Sequence, residues 1–285
     1  MSTTQEVYIM HDLMAFQLRR LFRKTSFYIC ILLSVLPYLY IMLNLVVSMV
    51  TNSTAFGTVN ANEWFIISDI VSTVTILMAV FTSLFICEDH TNGTAKIIYS
   101  KGYSRTELFL SKYLVSTISA ALFFLSVMIV PVILSFVVRV NYNTEFYFFT
   151  LKLSGPGWVV LYLLKNLTGL LALNSFFYMV SEYFRKTGIS MIINLIGPNV
   201  SLTIILSIST MLESLLYEST GNTPSFINET VSMKIAAYWL PGLVSSLADI
   251  ISQNYDYGIG IIINTGYITL FSFLSYLVSR KIQIS

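Results

Sequence analysis

The chain has few side chains of the types that catalyse reactions or bind metals. Its histidines are His11 and His90, and its cysteines, Cys30 and Cys87, lie in or next to apolar stretches. Neither pair has the spacing of a metal site or a catalytic dyad. No segment matches the phosphate-binding loop G-x-x-x-x-G-K-[ST], the zinc motif H-E-x-x-H or the nucleophile motif G-x-S-x-G. The sequence therefore predicts that this chain is not an enzyme, with no catalytic residue, bound cofactor or metal site.

Charged side chains are concentrated in a polar segment, residues 88–112, that separates two apolar stretches. Gly102 suits the left-handed conformation that ends a helix. Ser104 and, three residues later, Glu107 match a capping box, in which each side chain binds the backbone N–H of the other residue. The pattern predicts a short helix, a break near Gly102 and a second helix that continues into the next apolar stretch.

The short helix in this segment carries apolar residues that need cover. Thr91 or Thr94 is expected to cap its N-terminus, since a threonine hydroxyl accepts a hydrogen bond from the first turn. Ile97 and Ile98 follow inside an otherwise polar segment and require a protein or membrane surface. Such a helix, fixed between two spans, would transmit a push from a partner protein into both.

The elements that position this segment follow from composition. Only 11% of the residues are Asp, Glu, Lys or Arg and 55% are hydrophobic, against roughly 25% charged residues in soluble domains. These values exclude a water-soluble fold and predict an all-α membrane protein. Six transmembrane helices are predicted at about 27–50, 65–87, 113–138, 158–181, 188–212 and 258–279. A seventh apolar piece, 235–251, contains Pro241 and is interpreted as interfacial or re-entrant helices.

The Lys and Arg residues predict the orientation, because cytoplasmic loops retain basic residues. Twelve of the sixteen fall on one side of the predicted bundle and three on the other. Both termini and the segment 88–112 are therefore predicted to be cytoplasmic. The twelve are Arg19, Arg20, Arg23, Lys24, Lys96, Lys101, Arg105, Lys112, Arg185, Lys186, Arg280 and Lys281.

Residues 1–26 precede the first span and are predicted to form an amphipathic helix along the inner membrane surface. Arg19 and Arg23 lie on its polar face. Its apolar stripe consists of Met10, Met14, Leu18 and Leu21.

Two ionisable residues fall inside the predicted spans, Asp69 and Lys165. Charged groups within a membrane are costly and are candidates for function. Lys165 could instead snorkel outward along its stem, or the two could form a structural ion pair. Amides in the spans are expected to hydrogen-bond between helices. They are Asn44, Asn174, Asn194, Asn199 and Asn264.

The polar segment has an order of residues that is shared with a known family. An acidic residue is followed by Gly-Thr, then by Ser-Arg, and then by a Lys seven positions after the Arg. This order resembles the signature loop of ABC-2 type transporter permeases, the membrane subunits of one class of ATP-binding-cassette exporters. The family often has Pro where this chain has Gly102, and either residue interrupts a helix. The matching positions are Asp89, Gly93, Thr94, Ser104, Arg105, Glu107 and Lys112.

The resemblance extends to the N-terminal helix, the six spans and the Pro-containing segment before the last span. It implies one permease domain over residues 1–285, with an interfacial helix at 1–26, a bundle at 27–279 and a coupling loop at 88–112. It implies a bacterial cytoplasmic membrane protein that carries a hydrophobic or amphipathic peptide, drug or lipid. The loop and the size look most like permeases of bacteriocin and antimicrobial-peptide export or immunity systems.

The implied partners are a separate ABC ATPase subunit, a second permease subunit and membrane lipid. ATP and Mg²⁺ would bind the ATPase, and the second permease could be identical or related. A net charge of only +2 argues against a nucleic-acid partner. The residues expected to couple to the ATPase are Asp89, Gly93, Thr94, Lys96, Ile97, Ile98, Ser104, Arg105, Glu107 and Lys112.

Other interpretations stay open from the residues alone. The charged segment could be a solvated anchor that obeys the cytoplasmic bias of basic residues. The chain could also be a self-contained channel or secondary transporter, which would need ionisable residues near the membrane centre. A membrane-anchored assembly or interaction factor would need neither a path nor a coupling loop.

Overall fold

A computed structural model describes residues 3–51, 59–60, 70–135, 140–141, 145–148, 151–154, 157–220, 238–239 and 256–281. This part of the chain is almost entirely helical. Its helices are α1 (Thr3–Arg23), α2 (Thr25–Thr51), α3 (Ile70–Thr91), α4 (Thr94–Ser100), α5 (Arg105–Ser135), α6 (Gly157–Phe184), α7 (Thr187–Thr220) and α8 (Tyr257–Lys281).

Six of these helices are long and apolar enough to cross a membrane, which confirms the predicted number of spans. They are α2, α3, α5, α6, α7 and α8. The apolar stretches that qualify are Thr25–Asn44, Val74–Thr91, Arg105–Leu134, Val159–Phe184, Thr187–Ile208 and Tyr257–Lys281. The sequence identified them because a helix needs about 20 apolar residues to cross the hydrocarbon core of a bilayer.

The described chain is almost entirely helical, as predicted, and four short strands lie in the connections between its helices. β1 (Val59–Asn60) pairs with β2 (Val140–Asn141) in parallel, and β3 (Glu145–Phe148) pairs with β4 (Leu151–Ser154) as an antiparallel ribbon. The interfacial or re-entrant helices predicted at 235–251 lie outside the described residues, apart from Tyr238 and Trp239. The indole N–H of Trp239 donates to the Ser201 hydroxyl of α7 at 3.0 Å.

Aromatic side chains connect the helices of the core. Phe27 of α2 contacts Phe81 of α3 and Phe123 of α5, with ring centroids 5.4 and 5.7 Å away. A second aromatic group joins α5 and α6, where Phe109 meets Tyr178 edge to face at 5.6 Å. Offset and edge-to-face contacts of this kind stabilise a core beyond the area that they bury.

Helices α3 and α6 are the interior helices, and about half of each span is buried within the chain. In contrast, α7 and α8 bury only a small part of their spans. The exposed side chains of α7 include Ile192, Ile196, Ile204 and Ile208. An apolar face of this kind suits lipid or another membrane helix, since hydrocarbon imposes no polar requirement on it.

A seam of polar side chains crosses the interior between α3, α5, α6 and α7. The amide oxygen of Asn174 accepts hydrogen bonds from Thr82 and Ser116, both at 3.1 Å. The amide nitrogen of Asn194 donates to the hydroxyls of Ser83 at 2.9 Å and Ser181 at 3.2 Å. Buried amides without partners would be costly in a membrane, so these bonds fix how the helices are packed.

The interhelical bonding predicted for the span amides is confirmed for some of them. Asn174 and Asn194 bind neighbouring helices, and Asn264 of α8 donates to the backbone oxygen of Lys165 at 3.2 Å. The prediction is wrong for Asn199, which is exposed and donates to Leu195 of its own helix. Asn44 is also exposed.

We predict that Asn194→Leu lowers the free energy of unfolding by about 1 to 2 kcal/mol, because interhelical hydrogen bonds in membrane proteins contribute about 0.6 kcal/mol each. Titration of the purified protein with a denaturing detergent measures this change. Asn199→Leu is the matched control on the same helix and should change stability by less than about 0.5 kcal/mol. Equal losses in the two variants would show that the seam does not hold α7 in place.

Candidate functional site

The charged segments of the chain meet at one end of the helix bundle, here called the charged end. It comprises the end of α1, the end of α3 with α4, the start of α5, the α6–α7 connection and the end of α8. Contacts between Arg20 and Asp89, between His90 and Glu182, and from Arg105 to the backbone oxygen of Arg280 hold these segments together.

The predicted short helix exists as α4, but its predicted cap is wrong. Gly93 occupies the N-cap position in the left-handed conformation, with φ of 68°, and no side chain caps the helix. The Thr91 hydroxyl instead donates to the backbone oxygen of Glu88 at 3.1 Å, and Thr94 is the first helical residue. A glycine makes this sharp turn without the steric penalty that a threonine would meet.

The predicted break and the start of the next helix are confirmed. Gly102 has φ of 89°, the left-handed conformation expected where a helix ends. The Ser104 backbone N–H donates to the Glu107 carboxylate at 2.7 Å, and the Glu107 N–H donates to the Ser104 hydroxyl at 3.2 Å. This reciprocal pair is a capping box with Ser104 at its first position, and α5 begins at the next residue, Arg105.

Three faces of α4 have different surroundings. Ala95 and Ile98 are buried against Leu13 of α1 and Leu108 of α5. A second face carries Lys96 and Tyr99 towards the α6–α7 connection. Ile97 lies on the third face and is 58% exposed. The cover predicted for the two isoleucines is therefore supplied to Ile98 by the chain's own helices, and Ile97 is left at the surface.

Asp89 forms the centre of the charge cluster. Its side chain is fully buried, it contacts the guanidinium of Arg20, and its second oxygen lies 3.0 Å from the ammonium of Lys112. Lys112 is also buried, with 2% of its side chain exposed. The two cations come from α1 and α5, so one carboxylate of α3 connects three helices. We call this arrangement the Asp89 cluster.

Glu88, the preceding residue, forms a more exposed pair of contacts. Its carboxylate lies 3.2 Å from the guanidinium of Arg20 and contacts the ammonium of Lys24. Burial and the positive charge of Arg20 lower the pKa of Lys24 to about 8, while Asp89 opposes the shift. Lys24 is therefore mostly charged at pH 7 and keeps its attraction to Glu88.

A second charge cluster joins α3 to the end of α6. The Glu182 carboxylate lies 3.3 Å from Nε2 of His90 and 3.8 Å from the guanidinium of Arg185. Arg185 is a non-glycine residue with positive φ, at 53°, directly after the last residue of α6. Its backbone N–H donates to Ser181 at 3.1 Å, a bond that closes the end of the helix.

The ten residues predicted to couple to a partner divide by exposure. Asp89, Ile98 and Lys112 are buried and therefore hold the segment in place. Gly93, Thr94 and Glu107 are partly exposed. Lys96, Ile97, Ser104 and Arg105 are exposed. The surface that a partner protein could contact is thus smaller than the predicted set.

Sequence reasoning missed Arg20, Glu182 and Leu13 as partners of this segment. Arg20 and Leu13 share the face of α1 that carries the buried Gln17 and Leu21. Such a face can be identified in a sequence, because residues three or four positions apart lie on the same side of a helix. Glu182 gave no local signal, because only the folding of α6 against α3 brings it to His90.

The polar residues predicted inside the spans are only partly described. Lys165 is fully buried, and its ammonium lies 5.6 Å from the ring centroids of Tyr162 and Tyr257. A buried side chain does not extend to the surface, which disfavours snorkelling. Asp69 lies outside the described residues, so its pairing with Lys165 stays a prediction.

No protein-family model and no curated protein matches this chain. Within the part that the structure describes, no group of three or more His, Cys, Asp or Glu side chains could hold a metal ion.

We predict that Asp89→Asn lowers the free energy of unfolding by about 3 kcal/mol or more. The substitution leaves Lys112 buried without a negative partner, and breaking a buried ion pair costs about 3 to 5 kcal/mol. Thermal or detergent unfolding of the purified protein measures this loss.

Two further variants test the cause of that loss. Glu88→Gln removes the neighbouring, more exposed carboxylate and should cost about 1 kcal/mol or less. Adding Lys112→Met to Asp89→Asn removes the unpaired cation and should restore part of the lost stability. No recovery in the double variant would contradict a direct ion pair between Asp89 and Lys112.

Proposed function

We propose that this chain is the permease subunit of an ATP-driven exporter of the ABC-2 type, and that the exposed face of α4 is its contact with a separate ATPase subunit. The observation that carries the proposal is the way in which α4 is connected and packed. This helix is connected to two spans and packed on α1, yet it leaves Ile97 at the surface. Such a helix can receive a force without unfolding.

The Asp89 cluster supports this function by making the connection stiff. Asp89 lies in the last turn of α3, three residues before the break that precedes α4. Its contacts to Arg20 and Lys112 fix this turn against α1 and α5. A displacement of α4 is therefore passed to α3 and α5 as a movement of whole helices, which alternating access requires.

We place the charged end in the cytoplasm of a bacterium, with both termini on that side. Twelve of the sixteen Lys and Arg residues belong to segments at this end, and basic residues are retained on the cytoplasmic side. α1 then lies at the inner surface of the cytoplasmic membrane. Leu13, Gln17 and Leu21 of α1 face the bundle, while Arg19 and Arg23 are exposed.

ATP and Mg²⁺ would bind the partner ATPase, since the sequence has no phosphate-binding loop. A second permease subunit, identical or related, would complete the path. The cargo is proposed to be hydrophobic or amphipathic, as in exporters of antimicrobial peptides, drugs or lipids. Of these, antimicrobial peptides fit best with the form of the loop in the sequence.

A second candidate function is a self-contained channel or secondary transporter. The fully buried Lys165 favours it, because an ionisable group inside a membrane bundle is a candidate for a transport path. The two candidates differ in what the purified chain does alone. A secondary transporter moves substrate in liposomes without an ATPase, whereas a permease subunit does not.

We predict that Ile97→Asp reduces co-purification of the ATPase subunit by at least about tenfold and abolishes ATP-driven export. A charge placed in the apolar part of a contact loses the burial of the isoleucine and adds the desolvation of a carboxylate. Affinity purification of the tagged chain, co-expressed with the ATPase from the same genome region, measures the loss.

Asn92→Asp is the matched control, because Asn92 is exposed in the same segment, lies outside α4 and is not among the residues predicted to couple. It should leave ATPase recovery unchanged. Both variants alter exposed residues, so the amount of folded protein should stay at the level of the unmodified chain. Full ATPase recovery with Ile97→Asp would disprove docking through this face.

A further inference from the structure

A cavity of about 260 Å³ lies at the charged end between α4 and the α6–α7 connection. Its lining includes Lys96 and Tyr99 from α4, Asp89 and His90 from α3, and Arg185 and Lys186 from the connection. It is therefore built by segments far apart in the sequence. Ile97, on the exposed face of α4, is not part of the lining.

The cavity has an excess of positive charge. The carboxylate of Asp89 is already bound by Arg20 and Lys112, and Glu182 behind the cavity is bound by His90 and Arg185. The side chains of Lys96 and Lys186 are exposed and make no hydrogen bond or ion pair within the described part of the chain. These two ammonium groups, on opposite walls, have no counter-charge of their own.

Arg185 is a third basic residue of the cavity lining, next to its partner Glu182, and its backbone has a conformation that non-glycine residues rarely adopt. Its φ of 53° places it where a helix commonly ends in glycine. A non-glycine residue in this conformation is strained by about 1 kcal/mol or more. Its guanidinium Nε donates to the backbone oxygen of Glu182 at 3.4 Å, which holds the group at the cavity wall. Strain of this kind is typical of residues that are positioned for binding.

The size of the cavity limits the ligand. Sites for drug-sized molecules occupy roughly 300 to 1,000 Å³, so about 260 Å³ suits a small anionic group. A complete phospholipid with two acyl chains is larger than this cavity. A phosphate group between Lys96, Lys186 and Arg185 would be matched in charge, since lysine and arginine are the usual phosphate-binding side chains.

The surroundings of the cavity indicate where the phosphate comes from. The cavity lies at the ends of the spans α3 and α6, where a membrane-spanning helix meets the headgroup layer. Tyr183 and Phe184, the last residues of α6, are exposed beside it. Exposed aromatic residues at a span end are typical of the membrane interface. A free phosphate compound would not require this position.

We propose that this cavity binds the phosphate group of an anionic phospholipid from the leaflet at the charged end, held between Lys96 of α4 and Arg185 and Lys186 of the α6–α7 connection. The acyl chains remain in the bilayer outside the cavity. The bound headgroup joins α4 to the α6–α7 connection, beside the contact of His90 of α3 with Glu182 of α6. Lipid composition then influences how firmly α4 is held.

The test uses the full-length chain purified in mild detergent and native mass spectrometry with phosphatidylglycerol or phosphatidylcholine. The unmodified chain should retain phosphatidylglycerol in preference to phosphatidylcholine. Lys96→Gln with Lys186→Gln should weaken phosphatidylglycerol binding about 30-fold, since each basic residue near an anionic membrane surface contributes about 1 kcal/mol. A thermal melt confirms that the variant is folded.

Lys101→Gln with Lys281→Gln is the control for charge. Both lysines are exposed at the charged end but do not line the cavity. This variant makes the same change in net charge and should bind phosphatidylglycerol as the unmodified chain does. Equal binding losses in the two double variants would overturn the proposal, because they would reflect general attraction to a basic surface.

Two other results would also overturn it. If inorganic phosphate at millimolar concentration displaced phosphatidylglycerol completely, the ligand would be a free phosphate compound. If the Lys96 and Lys186 variant kept its lipid but lost the ATPase, these lysines would contact a protein. The proposal does not depend on the exporter function, since a chain that recruits no ATPase should still bind the lipid.

Discussion

The arrangement of the charged end depends on one buried carboxylate. Asp89 lies at the end of a membrane-spanning helix, and an uncompensated charge in that position costs several kcal/mol. It can be buried only if Arg20 of α1 and Lys112 of α5 are both present at their observed positions. This requirement fixes the position of α1 and the position of the first turns of α5. The packing of Ile98 against Leu13 and Leu108 is then geometrically possible.

The two neighbouring ion pairs differ in burial and therefore in how much each contributes to the stability of the segment. Asp89 and Lys112 are almost completely buried, so loss of either partner leaves a charge in a medium that solvates it poorly. Glu88 retains contact with solvent, where an ion pair is worth about 1 kcal/mol or less. Adjacent carboxylates in the same motif therefore differ in function. One determines the structure of the segment, and the other adjusts its stability.

Most local features of the structure could be predicted from the sequence, whereas its long-range contacts could not. Hydropathy is sufficient to identify six spans, and the capping box at Ser104 and Glu107 depends only on residues three apart. The cap of α4 was misassigned because Gly93 takes a left-handed turn, which no rule for threonine caps anticipates. The partners of Asp89 could not be found from spacing, since Arg20 is 69 residues away. The sequence pattern predicts Asp89 as a contact for a partner protein, whereas the structure buries it against Arg20 and Lys112 of the same chain.

The polar seam and the Asp89 cluster both include α3 and α5, which restricts how the bundle can move. Thr82 of α3 donates to Asn174 of α6, which also accepts a hydrogen bond from Ser116 of α5. Ser83 of α3 accepts a hydrogen bond from Asn194 of α7. At its end α3 is fixed by the Asp89 cluster. Because both sets of contacts involve buried polar groups, bending α3 between them would leave groups unpaired in the membrane. A force on α4 is therefore more easily relieved by moving α3 with its neighbours as a unit. The helices with little buried surface, α7 and α8, can adjust against lipid at lower cost, so motion is expected to occur at their outer faces and not within the interior.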